Sequence, residues 1–369
     1  MDSIYSLRVE KLRQKFPDNK LDCLLALKDK NIYYLSGFYG KDSGSILLVC
    51  GQNIYLIVSF IYFEQAKKSA GRDIEIIQFK NNKQEKLKQV LASLKSKRIG
   101  IEESNVTLKA FGEMKEIARE NKKKLISAGD IIEGLRLIKD QIEINNIKRA
   151  CGIADKAFKQ VLGIKKEKLF GLTEAELGFE LERLMTMEGA SGRSFDIIVA
   201  NNASSSLPHY VPGRQKIRPG ILLADFGCMY NNYCSDITRT FFIDNKKDHK
   251  IREIYDIVLQ AQQLAIENCR EGITCKELDK IAREYIEKKG YGENFGHGLG
   301  HGVGLEVHEG PTINSRSGVE LKENMVVTIE PGIYIEGIGG VRIEDMAVVK
   351  KGGCEILYTA DKSCIDITE

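Results

Sequence analysis

Apolar residues along this chain recur in two rhythms. In the first third they form short continuous runs at 21–27 (LDCLLAL), 44–49 (GSILLV), 53–58 (NIYLIV), 74–79 (IEIIQF) and 98–103 (RIGIEE), which read as buried strands. Between these runs the period lengthens to that of a helix, as in KQEKLKQVLASL (83–94) and TLKAFGEMKEIA (107–118). Strand and helix in alternation predict a small layered α/β domain. The basic stretch 121–124, followed by a short strand LISA (125–128), marks its end and divides the chain into residues 1–129 and 130–369.

Beyond that boundary a long amphipathic helix is expected from about Ser127 or Lys139 towards Leu162. A second helix opens at Thr173, where Glu176 three residues later completes a capping-box signature. Strands follow at SFDIIVA (194–200), ILLADFG (221–227) and YCSDITRTFFI (233–243). The order then repeats: a helix over about 248–269, a shorter one over about 275–289, and the strands of VVTIEPGIYIEGIGGVRIED. Helix, helix and acid-bearing hairpin, twice over, predict two related halves facing each other across a shared sheet in a compact α+β domain.

Size and charge narrow the picture further. A chain of 369 residues is too long for one comfortable core and suggests two domains. With 43% hydrophobic and 29% charged residues it has the composition of a soluble globular protein. No apolar run approaches the roughly 18 residues of a membrane-spanning helix. The opening MDSIYSLRVEKLRQKF lacks the apolar core of a signal peptide, so the cytoplasm is the expected setting. Basic and acidic residues nearly balance, at 55 and 52, and the short lysine clusters at 120–124 and 245–250 read as solvated helix ends and loops. That argues against nucleic acid as a partner. Nine cysteines without a CxxC cluster read as reduced, mostly buried thiols.

The chemistry is concentrated in the last half of the chain. If the first hairpin turns at Tyr230–Asn231, Asp225 and Asp236 fall opposite one another; a turn at Gly337 does the same for Glu330 and Glu344. Opposed side chains in such ladders have Cβ atoms about 4.5–5.5 Å apart, where like charges repel. Two such pairs in apolar strands call for cations, and two divalent ions balance four carboxylates. His301, between Gly300 and Gly302, adds a nitrogen on a backbone that can approach closely. Oxygen and nitrogen donors suit manganese, cobalt, zinc or iron. The competing reading is four exposed strand acids and an incidental histidine. GHGLGHGVG fits no phosphate-binding loop, and HEGPT is not HExxH. His209 follows Leu207-Pro208 on a stiff loop, and it and His308 are candidate site residues. His297 stands between a structural role and substrate contact, His249 reads as a solvated helix start, and Arg239 fits an ion pair as readily as a site.

These residues lie in LPHYVPG, DFG, SDITRT, GHGVGLEVHE, TIEPGIY and GVRIED, and with them the chain resembles the creatinase-like, pita-bread metallopeptidases. Within that family it is most similar to the Xaa-Pro peptidases, aminopeptidase P and prolidase. The resemblance spans essentially the whole chain. It implies an α/β amino-terminal creatinase-like domain plus an α+β, pseudo-two-fold pita-bread catalytic domain. It also implies two divalent ions, foremost Mn²⁺, held by Asp225, Asp236, His301, Glu330 and Glu344, with Asp236 and Glu344 bridging. A metal-bridged hydroxide would attack the Xaa-Pro bond, with His209 and His308 supporting the oxyanion and Glu330 carrying the proton. His297, Tyr334 and Arg342 would lie on the substrate side, and Arg342 matches the Xaa-Pro-selective branch. Proline-containing di- or oligopeptides are the implied partners, with no membrane and no nucleic acid, and a homodimer the implied assembly. Gly220-Ile221 and Asn232-Tyr233 depart from the usual Gly-Asp and Gly-Tyr without replacing a ligand. A metal-free creatinase-like amidinohydrolase and a non-catalytic binding protein are the alternatives on this fold. Dipeptidase and aminopeptidase remain open, because closure of the site beyond one residue after proline decides between them.

Overall fold

A computed structural model describes residues 4–245 and 248–367; the lysines at 246 and 247, expected on a solvated loop, lie outside the described residues. The chain divides into two compact units, Met1–Arg136 and Leu137–Glu369.

In the first unit the buried runs become β1 (Cys23–Ala26), β2 (Ile46–Cys50), β3 (Ile54–Ser59), β4 (Ile74–Phe79), β5 (Arg98–Ile101) and β6 (Lys124–Ser127). They form one mixed sheet of order β4-β3-β2-β1-β5-β6, antiparallel across β1–β2–β3 and parallel elsewhere. Six helices accompany it: α1 (Ile4–Gln14), α2 (Asp29–Ser36), α3 (Phe63–Ser69), α4 (Lys83–Ser93), α5 (Leu108–Glu120) and α6 (Ile131–Arg136). Leu87 and Leu91 of α4 bury against Leu25, Leu48, Ile57 and Ile99, the hydrophobic contact that orders the sheet face. Helix α6 is absent from the expected pattern, which carried one long helix through this stretch. It belongs to the first unit, where Arg136 donates to the Asn31 side chain at 2.7 Å. Another departure concerns the thiols. Cys23 and Cys50 are direct partners across β1–β2 and are joined as a disulfide, while the other seven cysteines are free. A separation of 27 residues gave no hint that a hairpin would bring these two together.

The second unit opens with α7 (Gln141–Leu162), α8 (Lys166–Gly171) and α9 (Glu174–Met187). Asp140 caps α7 by accepting from Ile142 N and Glu143 N, and the Glu143 side chain returns to Asp140 N. That capping box stops the helix short of Ser127. The expected box at Thr173 and Glu176 is present on α9. Strands follow: β7 (Gly192–Arg193), β8 (Ile198–Asn201), β9 (Gly220–Phe226), β10 (Cys228–Tyr230), β11 (Tyr233–Cys234) and β12 (Ile237–Ile243). After α10 (His249–Asn268) and α11 (Cys275–Lys288) come β13 (Gly300–Gly302), β14 (Glu309–Ile313), β15 (Val326–Ile329), β16 (Gly332–Ile335), β17 (Gly339–Arg342), β18 (Asp345–Lys350), β19 (Gly353–Ile356) and β20 (Asp366–Ile367).

These strands form a four-stranded sheet β20-β12-β9-β8 in one half and a five-stranded sheet β14-β13-β15-β18-β19 in the other, with smaller ladders β11-β10-β7 and β16-β17. Backbone and threonine contacts join the halves: Glu344 N donates to Thr238 O, and Thr240 Oγ1 donates to Arg342 O at 3.0 Å. The α10–α11 pair covers the second sheet through Ile254, Val258, Leu278 and Ala282, packed with Val327, Ile329, Val341 and Ala347. On the first sheet, Phe158 of α7 stacks on Phe226 and meets Phe241 edge-on.

Register places the acids. The first hairpin turns at Asn231–Asn232, both at positive φ, and pairs Tyr230 with Tyr233. Asp225 therefore opposes Thr238, not Asp236, a displacement of two residues from the expected pairing. Two residues is one full side-chain period, so the acids keep the same face. The expected strand 233–243 is broken at Ser235–Asp236, where Asp236 N donates to Tyr358 Oη at 3.0 Å instead of to a ladder partner. In the second hairpin Ile329–Asp345 and Gly332–Arg342 share one register, centred on Gly337. Glu330 and Glu344 thus face each other in the gap between two ladders.

Thr274 caps α11 away from these acids, accepting from Glu277 N. Thr274→Ala should lower stability by about 1 kcal/mol, read in calorimetry as a fall of about 2–4 °C in the transition of the second unit. No shift would show that the cap contributes nothing.

Candidate metal centre

Each expected ligand is held by a neighbouring strand. Asp225 lies at the end of β9, and its Oδ2 accepts from Arg342 Nη2 at 2.6 Å. Thr238, opposite it, donates from Oγ1 to Glu344 Oε2 at 2.7 Å and accepts from Arg342 Nε at 3.0 Å. Glu330 follows β15, its N–H donating to Leu299 O and its Oε1 accepting from Thr328 Oγ1 at 3.0 Å. The same hydroxyl accepts from His301 N at 3.0 Å. Two threonines therefore fasten ligands in pairs, one in each half. The sequence carried a signal for them that went unused: each lies two residues from an acid, on the same strand face.

His301 sits in β13, squeezed between its neighbours. A Cβ on Gly300 would lie 2.1 Å from Thr328 O, and one on Gly302 would lie 1.9 Å from Gly310 O. Only glycine lets the three chains close to this distance. His301 Nδ1 is 3.1 Å from Gly302 O, and a proton there leaves Nε2 as the acceptor turned towards the acids. Nε2 stands 3.2 Å from Glu330 Oε1 and 3.6 Å from Asp236 Oδ2. Asp236, His301 and Glu344 each offer a ligand atom within 4.8 Å of the others.

These five residues line one cavity of about 600 Å³ together with His209, His297, His308 and Arg342. His308 comes from the loop before β14, with its ring 4.4 Å from that of His301. That loop leads to Glu309, which pairs with the fully buried Lys139 at 2.8 Å. His297 is anchored from α11: Arg283 donates to His297 O at 2.7 Å while Asp279 accepts from Leu299 N. Its Nε2 is 3.0 Å from Tyr334 Oη, which accepts from Arg342 Nη1 at 2.8 Å. Tyr334 is not among the cavity-lining residues and stands behind His297 and Arg342. Arg239 is a structural ion-pair partner, bonded to Asp345 at 2.7 Å, and His249 is an exposed residue at the start of α10.

The electrostatics is that of a cation site. Burial, then the charges of Glu344 and Asp225, push the Asp236 carboxyl well above its usual range. Burial, then Glu330 and Asp225, do the same to Glu344. Burial also raises Asp225 in spite of Arg342. Glu330 goes the other way: burial would raise it, but with the His301 ring protonated its Nε2–H bond and the nearby positive groups hold it down to about 2, and a cation at the neutral ring's Nε2 would take that proton's place. His308 is lowered by burial and then by His301, and His297 is lowered chiefly by burial. Asp225 Oδ1 and Glu344 Oε1 are buried without a hydrogen-bond partner among the described residues. Two orphaned carboxylate oxygens beside an imidazole presenting Nε2 fit divalent cations.

The sequence pattern of metallopeptidase family M24 matches residues 145–351, and that of the creatinase/prolidase N-terminal domain matches residues 8–138. The chain belongs to metallopeptidase family M24. A Xaa-Pro dipeptidase of Pyrococcus horikoshii is 40% identical over 364 residues, spanning 98% of this chain and 99% of its own. Among solved structures, a Xaa-Pro dipeptidase from Bacillus anthracis matches with a TM-score of 0.92 at 38% identity, covering 98% of this chain and 99% of its own. An X-Pro aminopeptidase from Thermotoga maritima matches with a TM-score of 0.87 at 40% identity, covering 96% and 99%. The M24 chain thus has the fold expected from its motifs, a creatinase-like N-terminal domain and a pita-bread catalytic domain. Family M24 implies divalent metal, in keeping with the donor set above.

Metal and pH should therefore act together on stability. Asp236 and Glu344 have folded-state pKa values raised above the unfolded carboxyl values of about 4. Their contribution is fully present below pH ~4 and is lost as pH rises through the raised values. Metal-free protein should lose thermal stability from pH 5 upward, and a saturating divalent ion should restore about 2.7 kcal/mol at 100 times its Kd. A metal-free melting temperature that rises over this pH range would contradict the assignment.

Proposed function

We propose that this M24 protein is a dinuclear metallo-exopeptidase that hydrolyses Xaa-Pro peptide bonds, with Asp225, Asp236, His301, Glu330 and Glu344 holding two divalent ions. The observation that carries this reading is the pair of orphaned carboxylate oxygens, on Asp225 and Glu344, in a cavity also lined by His301 and Glu330. A metal-free amidinohydrolase or a non-catalytic binding protein would leave both oxygens buried and unpartnered, which is costly. The names of the relatives support the substrate class. Mn²⁺ is the favoured ion, and Co²⁺, Zn²⁺ and Fe²⁺ suit the same donors.

When bound, such ions supply Lewis acidity and bring the pKa of a coordinated water to about 7. The remaining chemistry falls to the chain. Glu330, a carboxylate beside His301 on the cavity wall, takes up the proton released by the attacking water. The proline nitrogen, like any amide nitrogen, leaves only as a protonated amine, and Glu330 passes it the proton taken from the attacking water. His308 and His209, both on the cavity wall, donate to the carbonyl oxygen as negative charge grows there. Arg342 is committed to Asp225, Thr238 and Tyr334, so its main effect is to fix the site's carboxylate and the Tyr334–His297 pair. The cytoplasm is the proposed setting, with seven free cysteines in keeping with it and the Cys23–Cys50 disulfide the exception. The proposed assembly is a homodimer, supported by the family resemblance.

Glu344→Ala should abolish hydrolysis of an Xaa-Pro dipeptide while leaving the circular dichroism spectrum unchanged; full activity in that variant would sink the two-metal reading. His308→Ala should lower kcat roughly 100-fold, as for loss of one oxyanion donor, with metal content retained. Loss of metal in that variant would make His308 a ligand instead. Comparing an Xaa-Pro dipeptide with an Xaa-Pro-Yaa tripeptide under defined Mn²⁺ separates dipeptidase from aminopeptidase, since only the latter cleaves both.

A further inference from the structure

Several carboxylates outside the metal group are as deeply buried as the ligands, and one of them bonds the loop that carries His209. Glu174, the first residue of α9, has no exposed surface, and both of its oxygens are engaged. Oε1 accepts from Asn201 N at 2.9 Å, and Oε2 accepts from the Tyr210 hydroxyl at 2.6 Å. Tyr210 is the neighbour of His209, and its ring packs against Ile198, Ala200 and Leu223. The same helix end holds the far side of the loop: Glu174 N donates to Gln215 O at 3.0 Å and Ala175 N to Gly213 O at 3.2 Å. Asn201 closes the base, with Oδ1 accepting from Arg218 N and Nδ2 donating to Ile221 O. His209 itself is exposed, on the wall of the catalytic cavity.

We propose that Glu174, acting through the Tyr210 hydroxyl, is a positioning residue that fixes where His209 stands over the catalytic cavity. The inference rests on the reading of His209 as an oxyanion donor given above. Helix capping does not account for Glu174, because Thr173 already caps α9 and the first N–H groups have carbonyl partners in the loop. What the carboxylate adds is a short, charge-assisted and directional bond to the residue beside His209. An exposed imidazole on a loop has no packing to hold it. Catalytic geometry tolerates only about 0.5 Å of error, so the anchor must come through the backbone of the next residue.

Tyr210→Phe tests this with the least disturbance, since it keeps the ring in its packing and removes only the donor. Xaa-Pro dipeptide hydrolysis is measured for the wild type, Tyr210→Phe, His209→Ala and the double variant, each loaded with Mn²⁺. Tyr210→Phe should lower kcat roughly 10- to 100-fold, as for a small misplacement, with KM and bound Mn²⁺ nearly unchanged and the melting temperature lowered by no more than about 10 °C, because a buried carboxylate oxygen loses its donor. In the His209→Ala background the same change should have almost no further effect. Glu174→Gln, which can still bond both partners, should retain more activity than Glu174→Ala. An equal loss from Tyr210→Phe with and without His209, or no loss at all, would overturn the inference. An unaltered rate in His209→Ala would instead overturn the role given to His209 in the proposed mechanism. A readout independent of hydrolysis is histidine NMR, tractable with five histidines. The signal lost in His209→Ala should shift in Tyr210→Phe while that of His249 stays in place. A His209 signal that does not move would also overturn the proposal.

Discussion

Mutual repulsion among buried carboxylates is the constraint around which the second unit is organised. Asp225, Asp236, Glu330 and Glu344 are closed into one cavity wall where, among the described residues, one guanidinium and one imidazole form ion pairs with them. Arg342 answers one acid and His301 chiefly one other, which leaves Asp236 and Glu344 strained towards protonation. A protein that relaxed would turn these side chains outward. The strands prevent it: the ladders on either side of Glu330 and Glu344 continue in one register, so neither acid can rotate away without breaking pairs. Affinity for cations is thus built into the backbone rather than into flexible side chains.

The acids do not come as two independent pairs. Thr238, from the first half, bonds Glu344 and Arg342 of the second, and Arg342 reaches back to Asp225. The ligand group exists only where β12 meets β17 and β18, so docking of the halves and assembly of the site are one event. Around that seam the histidines are held by different devices. Glycines close the sheet on His301, a helix clamps the carbonyl of His297, and Glu174 braces the loop of His209.

What could be read in advance follows from the range of the interactions. The capping box at Thr173, the strand runs of the first unit and the register about Gly337 are local, and each is written within a few residues. The crowding of Gly300 and Gly302 was legible as a type of residue, though not the atoms they admit. The first hairpin escaped because Asn231 and Asn232 both take positive φ, moving the turn by one residue and the pairing by two. The break at Asp236 depends on Tyr358, 122 residues away, and the Cys23–Cys50 link on a hairpin that only the sheet reveals. Glu174 was hidden for a similar reason. Its partner is 36 residues distant, and locally it is one more acid in the first turn of a helix.

Lys139 carries a last consequence. It lies just past the point where the two compact units divide, yet its ammonium is buried against Glu309, next to His308. A chain shortened to begin after this lysine would keep every ligand and every strand of the second unit. It would also strip from the buried Glu309 carboxylate the ammonium that pairs with it at 2.8 Å, and losing one partner of a buried pair costs about 3–5 kcal/mol. The start of the second unit is therefore marked not by where its first helix begins but by a side chain ahead of it. Lys139, placed before that helix, thus supports Glu309 in the wall of the cavity without lining it.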